Sequence, residues 1–140
     1  MSLTLPVNHA YRYAVRNWRV VDADTVFTEL VCGFDIFVEQ YCRLAGIDCP
    51  EHTTKAGKIV ASIVGRWCVR NQPLQVFSAR RDKYSRRFDG QLFDSTGNES
   101  LAYYLLSNGL CREYAGGERK PWTEAELQAV EKRAAELLGV

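Results

Sequence analysis

The stretch Tyr41-Cys42-Arg43-Leu44-Ala45-Gly46-Ile47-Asp48-Cys49-Pro50-Glu51 begins with the residues of a strand and ends in a turn crowded with charge. Tyr, Cys, Leu and Ile favour a pleated, half-buried backbone, whereas Gly46 and then Pro50 take the chain out of regular structure. Arg43 on the strand, Asp48 past it and Glu51 just after a proline gather a cation and two carboxylates at one corner. A surface salt bridge beside a turn would need no more than this, so the reading depends on what flanks the corner.

Upstream, residues 11–21 are rich in aromatic and β-branched side chains and read as a first strand, long enough to need a bend in a small barrel. The Asp22-Ala23-Asp24 corner ends it. Strand character resumes over 25–32, and Gly33-Phe34-Asp35 offers a tight reversal into 36–44, completing a three-strand meander. In that third strand Ile36, Val38, Cys42 and Leu44 fall on one face, and Phe37, Glu39, Tyr41 and Arg43 on the other, because strand side chains alternate.

Downstream, the period turns helical. Ala56, Ile59, Val60, Ile63, Val64, Trp67 and Cys68 recur at three- and four-residue steps, with Lys55, Lys58, Arg66 and Arg70 opposite. Thr53 or Thr54 can cap the start, and Asn71-Gln72-Pro73 stops the far end. Residues 74–79 and 87–93 read as two further strands joined by Arg80-Arg81-Asp82-Lys83-Tyr84-Ser85-Arg86. A short helix over about 100–108 stops at Gly109, and a last helix opens on the capping box Thr123-x-x-Glu126, with Trp122 placed to staple onto Leu127. Five short strands with a helix between the third and fourth is the element order of a five-stranded OB-type Greek-key barrel with about three α-helices, an α+β fold.

At 140 residues, 46% hydrophobic and 25% charged, the chain suits one domain spanning 1–140 with a sizeable core. A net charge of +1 names no partner, so any nucleic-acid surface has to come from how the charge is distributed. The five cysteines, Cys32, Cys42, Cys49, Cys68 and Cys111, are odd in number and form no C-x-x-C pair, which favours reduced thiols packed as small hydrophobes. Cys49 is the exception, lying within a polar turn. No apolar run nears 18 residues, and the amino terminus has neither a basic region nor an apolar core before a small-residue cleavage site. The chain as given is expected to be a cytoplasmic monomer with no membrane or protein partner, and secreted if a presequence has been removed.

Three separated pieces carry the charge: Asp22-Ala23-Asp24-Thr25, Arg43 with Asp48 and Glu51, and Lys83-Tyr84-Ser85-Arg86. Together they hold acids for a hard divalent cation and cations for a phosphate. Such a metal wants several oxygens, and Asp24, Asp48 and the Cys49 carbonyl can supply them; the thiol of Cys49 is too soft for that role.

In order and at fitting distances, V-D-A-D-T, R-L-A-G-I-D-C-P-E, K-Y-S-R and L-L-S-N-G-L-C-R resemble the staphylococcal nuclease (thermonuclease) family over about residues 20–114. The resemblance implies a five-stranded OB-fold barrel and a Ca²⁺-dependent phosphodiesterase that cuts DNA and RNA, leaving 3′-phosphate ends. It implies that Asp24, Asp48 and the carbonyl of Cys49 hold calcium, that Glu51 works on the attacking water, and that Arg43 and Arg86 grip the phosphate. Lys83, Tyr84 and Tyr114 are candidates for contacts along the nucleic acid. His52 is read as a surface residue. The family's usual glycines are Ala23 and Ser85 here, which matters if either position needs a positive φ. The alternative is the same barrel kept only to bind nucleic acid or protein, with catalysis lost.

Overall fold

The structure, a computed structural model, describes residues 11–81 and 86–140. Five strands close into a barrel: β1 (Tyr11–Asp22), β2 (Thr25–Val31), β3 (Phe37–Leu44), β5 (Gln75–Arg81) and β6 (Arg87–Phe93), in the order β1-β2-β3-β6-β5 with β5 returning to β1. All neighbours are antiparallel except β3 and β6, which run parallel from Tyr41↔Arg87 to Leu44↔Gly90. β1 pairs with β2 over Ala14 to Asp22 and with β5 over Tyr11 to Ala14, so one strand serves two neighbours. Register shifts between Val15 and Asn17 and between Val20 and Asp22 give it the bend that this double duty requires.

Helix α1 (Lys55–Asn71) follows the corner, with Thr54 as N-cap accepting from Gly57 N, and buries Ala56, Val60, Ile63, Val64, Trp67 and Cys68. Helix α2 (Leu101–Ser107) and helix α3 (Glu124–Leu138) complete the fold. The expected capping box is present: Thr123 Oγ1 accepts from Glu126 N, and the Glu126 carboxylate accepts from Thr123 N. α3 lays Val130 and Ala134 into the core, with Leu127, Leu137, Leu138 and Trp122 partly buried around them.

Two features differ from the sequence reading. Ile36 and Val38, read as sharing a face with Cys42 and Leu44, are exposed while those two are buried, because β6 covers β3 only from Tyr41 onward and the first half of the strand lacks that neighbour. A second small sheet also pairs β4 (Ile47–Asp48) with β7 (Arg112–Glu113), Asp48 opposite Arg112. Two-residue strands leave no periodicity to read. Among the described residues no helix is long and apolar enough to cross a membrane.

Candidate functional site

The corner assembles where β3 leaves the barrel. Arg43 is the last but one residue of β3, and its side chain turns along the chain that follows, donating from Nη1 to Leu44 O (2.6 Å) and from Nη2 to Ile47 O (3.0 Å). Register sets Arg43 opposite Thr25, so the β1–β2 turn delivers Asp24 to it: Arg43 Nη2 lies 3.5 Å from Asp24 Oδ2. Asp48 follows Ile47, whose carbonyl Arg43 holds. Arg43, Asp24 and Asp48 are 8%, 7% and 4% exposed, three buried ionisable residues from separate segments.

Ala23, replacing the expected glycine, is fully buried and has no positive φ, since among the described non-glycine residues only Phe34, Asp35 and Arg86 do. The turn therefore tolerates alanine. His52 Nδ1 approaches Asp22 Oδ2 at 3.6 Å, which joins the chain beyond Glu51 to the same turn. Glu51 itself is exposed, while its carbonyl accepts from Thr54 Oγ1 (2.6 Å) and Thr54 N (3.0 Å), locking the backbone that presents it.

Gly57 makes that position possible. A Cβ there would stand 2.7 Å from Pro50 O and 2.5 Å from the Glu51 carbonyl carbon, with the Glu51 oxygen closer still. Backbone cannot yield as a side-chain tip can. Gly57→Ala is expected to destabilise the protein by about 1–3 kcal/mol through overpacking, read from the urea midpoint, and to push Glu51 outward. An unchanged midpoint would show that α1 is free to slide away from the corner.

Reduced thiols were expected, but Cys49 and Cys111 form a disulfide across 62 residues of sequence. Extending the Asp48↔Arg112 pairing by one residue sets these two cysteines opposite each other, and their Cα atoms are 4.5 Å apart, the spacing of a close antiparallel pair. Cys32, Cys42 and Cys68 are free, and burial pushes the thiols of Cys42 and Cys68 up to about 12, which leaves both inert.

Arg112, which the sequence reading passed over, grips Asp48 with two donors: Nε to Oδ2 at 3.1 Å and Nη2 to Oδ2 at 2.8 Å. It also donates to Lys120 O, lies 4.2 Å over the Trp122 ring and faces Glu126 at 3.7 Å. One cation thus ties β7, the 114–120 loop and the start of α3 to Asp48. The bridge Cys49–Cys111 ties the same two segments covalently.

Arg86 is not brought to this corner. Its Nη2 sits 2.7 Å from Glu39 Oε2, four residues before Arg43 on β3 or roughly 13 Å along the strand at a rise of about 3.3 Å per residue. Both side chains of that pair are about half exposed, the class of ion pair worth about 0–1 kcal/mol. Tyr114 lies beside the corner, where its N–H donates to Gly46 O (2.9 Å) and its hydroxyl to Gly117 O, so it organises a loop. Lys83 and Tyr84, and Ser85 with them, lie outside the described residues.

The donor chemistry fits a hard cation. Among the described residues no three His, Cys, Asp or Glu side chains converge, so a metal here would rest on two carboxylates, a carbonyl and water. Ca²⁺ accepts such a loose oxygen shell, whereas Zn²⁺ takes closed nitrogen and sulfur sets. Asp24 carries the fit: burial raises its pKa above the usual 3.8, and the neighbouring Arg43 offsets this only in part. Burial thus opposes the bare carboxylate at Asp24, the form that a bound cation would stabilise. No family model and no curated protein matches the chain.

Proposed function

We propose that this corner is the active site of a Ca²⁺-dependent nuclease that hydrolyses phosphodiester bonds of DNA or RNA, on a barrel of the OB type in a staphylococcal nuclease-like chain. Strand order with a parallel β3–β6 junction, and α1 inserted before β5, support the barrel assignment. One observation carries the activity: Asp24 and Arg43, from separate segments, form a buried ion pair, and the same arginine holds the backbone carbonyl of Ile47, next to buried Asp48. A buried ion pair is poor value for stability, since desolvation offsets the attraction, so its retention points to work done at the site.

Asp24, Asp48 and the Cys49 carbonyl would hold the cation. When bound, it supplies neutralisation of the phosphate charge and a more acidic water. Glu51, exposed on a fixed backbone, takes the proton of the attacking water. Arg43 spends two of its five N–H donors on backbone carbonyls and turns Nη2 to Asp24 as well, which leaves Nε and the second Nη1 hydrogen for the phosphate oxygens, where charge grows in the transition state.

The test is digestion of plasmid DNA and of RNA with Ca²⁺ or with a chelator, comparing wild type and Asp24→Asn. The wild type should cut only with metal, and the variant should not cut. A second readout is independent of activity. Because the folded-state pKa of Asp24 is raised, ionising it works against folding: its favourable contribution is present below the ordinary 3.8 and is lost as pH rises through the raised value. Metal-free Asp24→Asn should therefore melt above wild type at neutral pH, and the gap should close in acid. A variant that melts lower at neutral pH would show that Arg43 needs that charge more than burial opposes it.

A second reading has its own observation. Arg86 rests on Glu39, so the two-arginine clamp expected from the sequence is not assembled around Arg43. That favours the module that binds without cutting, and tight oligonucleotide binding with no cleavage in any metal would select it.

A further inference from the structure

The place left by Arg86 is not empty of guanidinium. Arg119 Nη1 lies 3.9 Å from Asp48 Oδ1, on the opposite oxygen from the one that Arg112 holds. Arg119 is also close enough to Asp24 to act on its charge, and its side chain is 50% exposed. It therefore faces Asp48, one of the two proposed metal carboxylates, with half of its side chain in solvent.

We propose that Arg119 is the second guanidinium that meets the substrate phosphate at this corner, which deepens the nuclease reading and rests on it. Structural need does not account for it. Asp48 already has a two-donor hydrogen-bonded cation in Arg112, and a further pair at 3.9 Å, half in solvent, adds little. Among the described residues Arg119 meets Asp48 and the Tyr114 ring, at 5.7 Å from the ring centroid, and makes no hydrogen bond. The donors of its planar fork that do not face Asp48 are available to the oxygens of a phosphate, with a directionality that lysine lacks.

The loop that carries it is held at both ends. Tyr114 N donates to Gly46 O at the near end, and Arg112 donates to Lys120 O at the far end. Between them Gly116 and Gly117 take φ of +100° and +87°, and the Tyr114 hydroxyl closes onto Gly117 O, folding the loop back so that Arg119 returns over the Tyr114 ring. Only glycine adopts such angles freely. The guanidinium is thus placed before substrate arrives, and less freedom is lost on binding.

The experiment measures binding of a fluorescent phosphorothioate hexanucleotide by anisotropy in Ca²⁺, together with Ca²⁺ binding by calorimetry, for wild type, Arg119→Ala and Arg119→Lys. Melting temperatures confirm that each variant is folded. Arg119→Ala should weaken oligonucleotide binding about ten- to a hundredfold, the range for losing a charged hydrogen-bond donor, with Arg119→Lys in between. Its dependence of log affinity on log salt should flatten by about 0.7, one single-strand phosphate contact. Ca²⁺ affinity should rise instead, because a cation beside Asp48 has gone. A purely structural residue would lower both affinities or change neither, and either pattern overturns the assignment. If wild type binds neither Ca²⁺ nor the oligonucleotide, the nuclease reading fails and takes this assignment with it.

Discussion

Arg43→Lys is expected to slow hydrolysis by about a hundred- to a thousandfold and also to destabilise the protein by about 2 kcal/mol. The rate loss follows from geometry. A lysine ammonium is a point charge, and at this buried position it cannot brace two backbone carbonyls and a phosphate at once. The stability loss follows from the contacts that Arg43 makes within the protein. Arg43 donates to Leu44 O and Ile47 O and sits beside Asp24, so it staples the end of β3 to β4 as well as facing substrate. Arg43→Ala should be worse, about 3–5 kcal/mol, because it leaves Asp24 buried without its cation. Urea unfolding with chelator measures the stability part. Turnover taken well below the melting transition, where every molecule is folded, isolates the chemical part. Near-normal turnover in a folded Arg43→Lys would remove Arg43 from the mechanism.

That dual role marks where the sequence stops being legible. The barrel strands, α1 and α3 could be read because each announces itself locally: alternation in β2, the three- and four-residue recurrence from Ala56 to Cys68, the Thr123–Glu126 box. Exposure of Ile36 and Val38 was not readable, since alternation says which residues share a face and not how far a neighbouring strand extends. The meeting of Asp24 with Arg43 was foreseen from motif order, and the Thr25↔Arg43 register delivers it. The Glu39–Arg86 pair was not, because Glu39 reads as an ordinary outward strand residue. Arg112 was missed although it stood beside Cys111 in the quoted L-L-S-N-G-L-C-R stretch. Its importance comes from opposing Asp48 across 64 residues, a fact of topology.

The disulfide belongs to the same class of long-range fact, and its removal should affect stability about as much as removing Arg43. Fixing a loop of 62 residues restricts the unfolded chain by about 4 kcal/mol on the chain-entropy account. For a domain of this size that corresponds to a fall in melting temperature on the order of 10–15 °C. The Cys49→Ser/Cys111→Ser double variant should show it, as should wild type in reductant, and Cys32→Ser, at an exposed free thiol, should not. Function should suffer beyond stability. Cys49 contributes a proposed metal oxygen, and Cys111 precedes the arginine that grips Asp48, so loosening the bridge lets Asp48 and its partner drift together away from Asp24. Ca²⁺ affinity of the double variant, measured where it is still folded, should therefore fall. Such bridges persist in oxidising compartments and are rare in the reducing cytosol, which weighs against the cytoplasmic expectation. Alkylation of the unfolded chain without reductant decides the premise: three cysteines should react, Cys32, Cys42 and Cys68, and modification of Cys49 or Cys111 as well would mean that the corner is held by Arg112 alone.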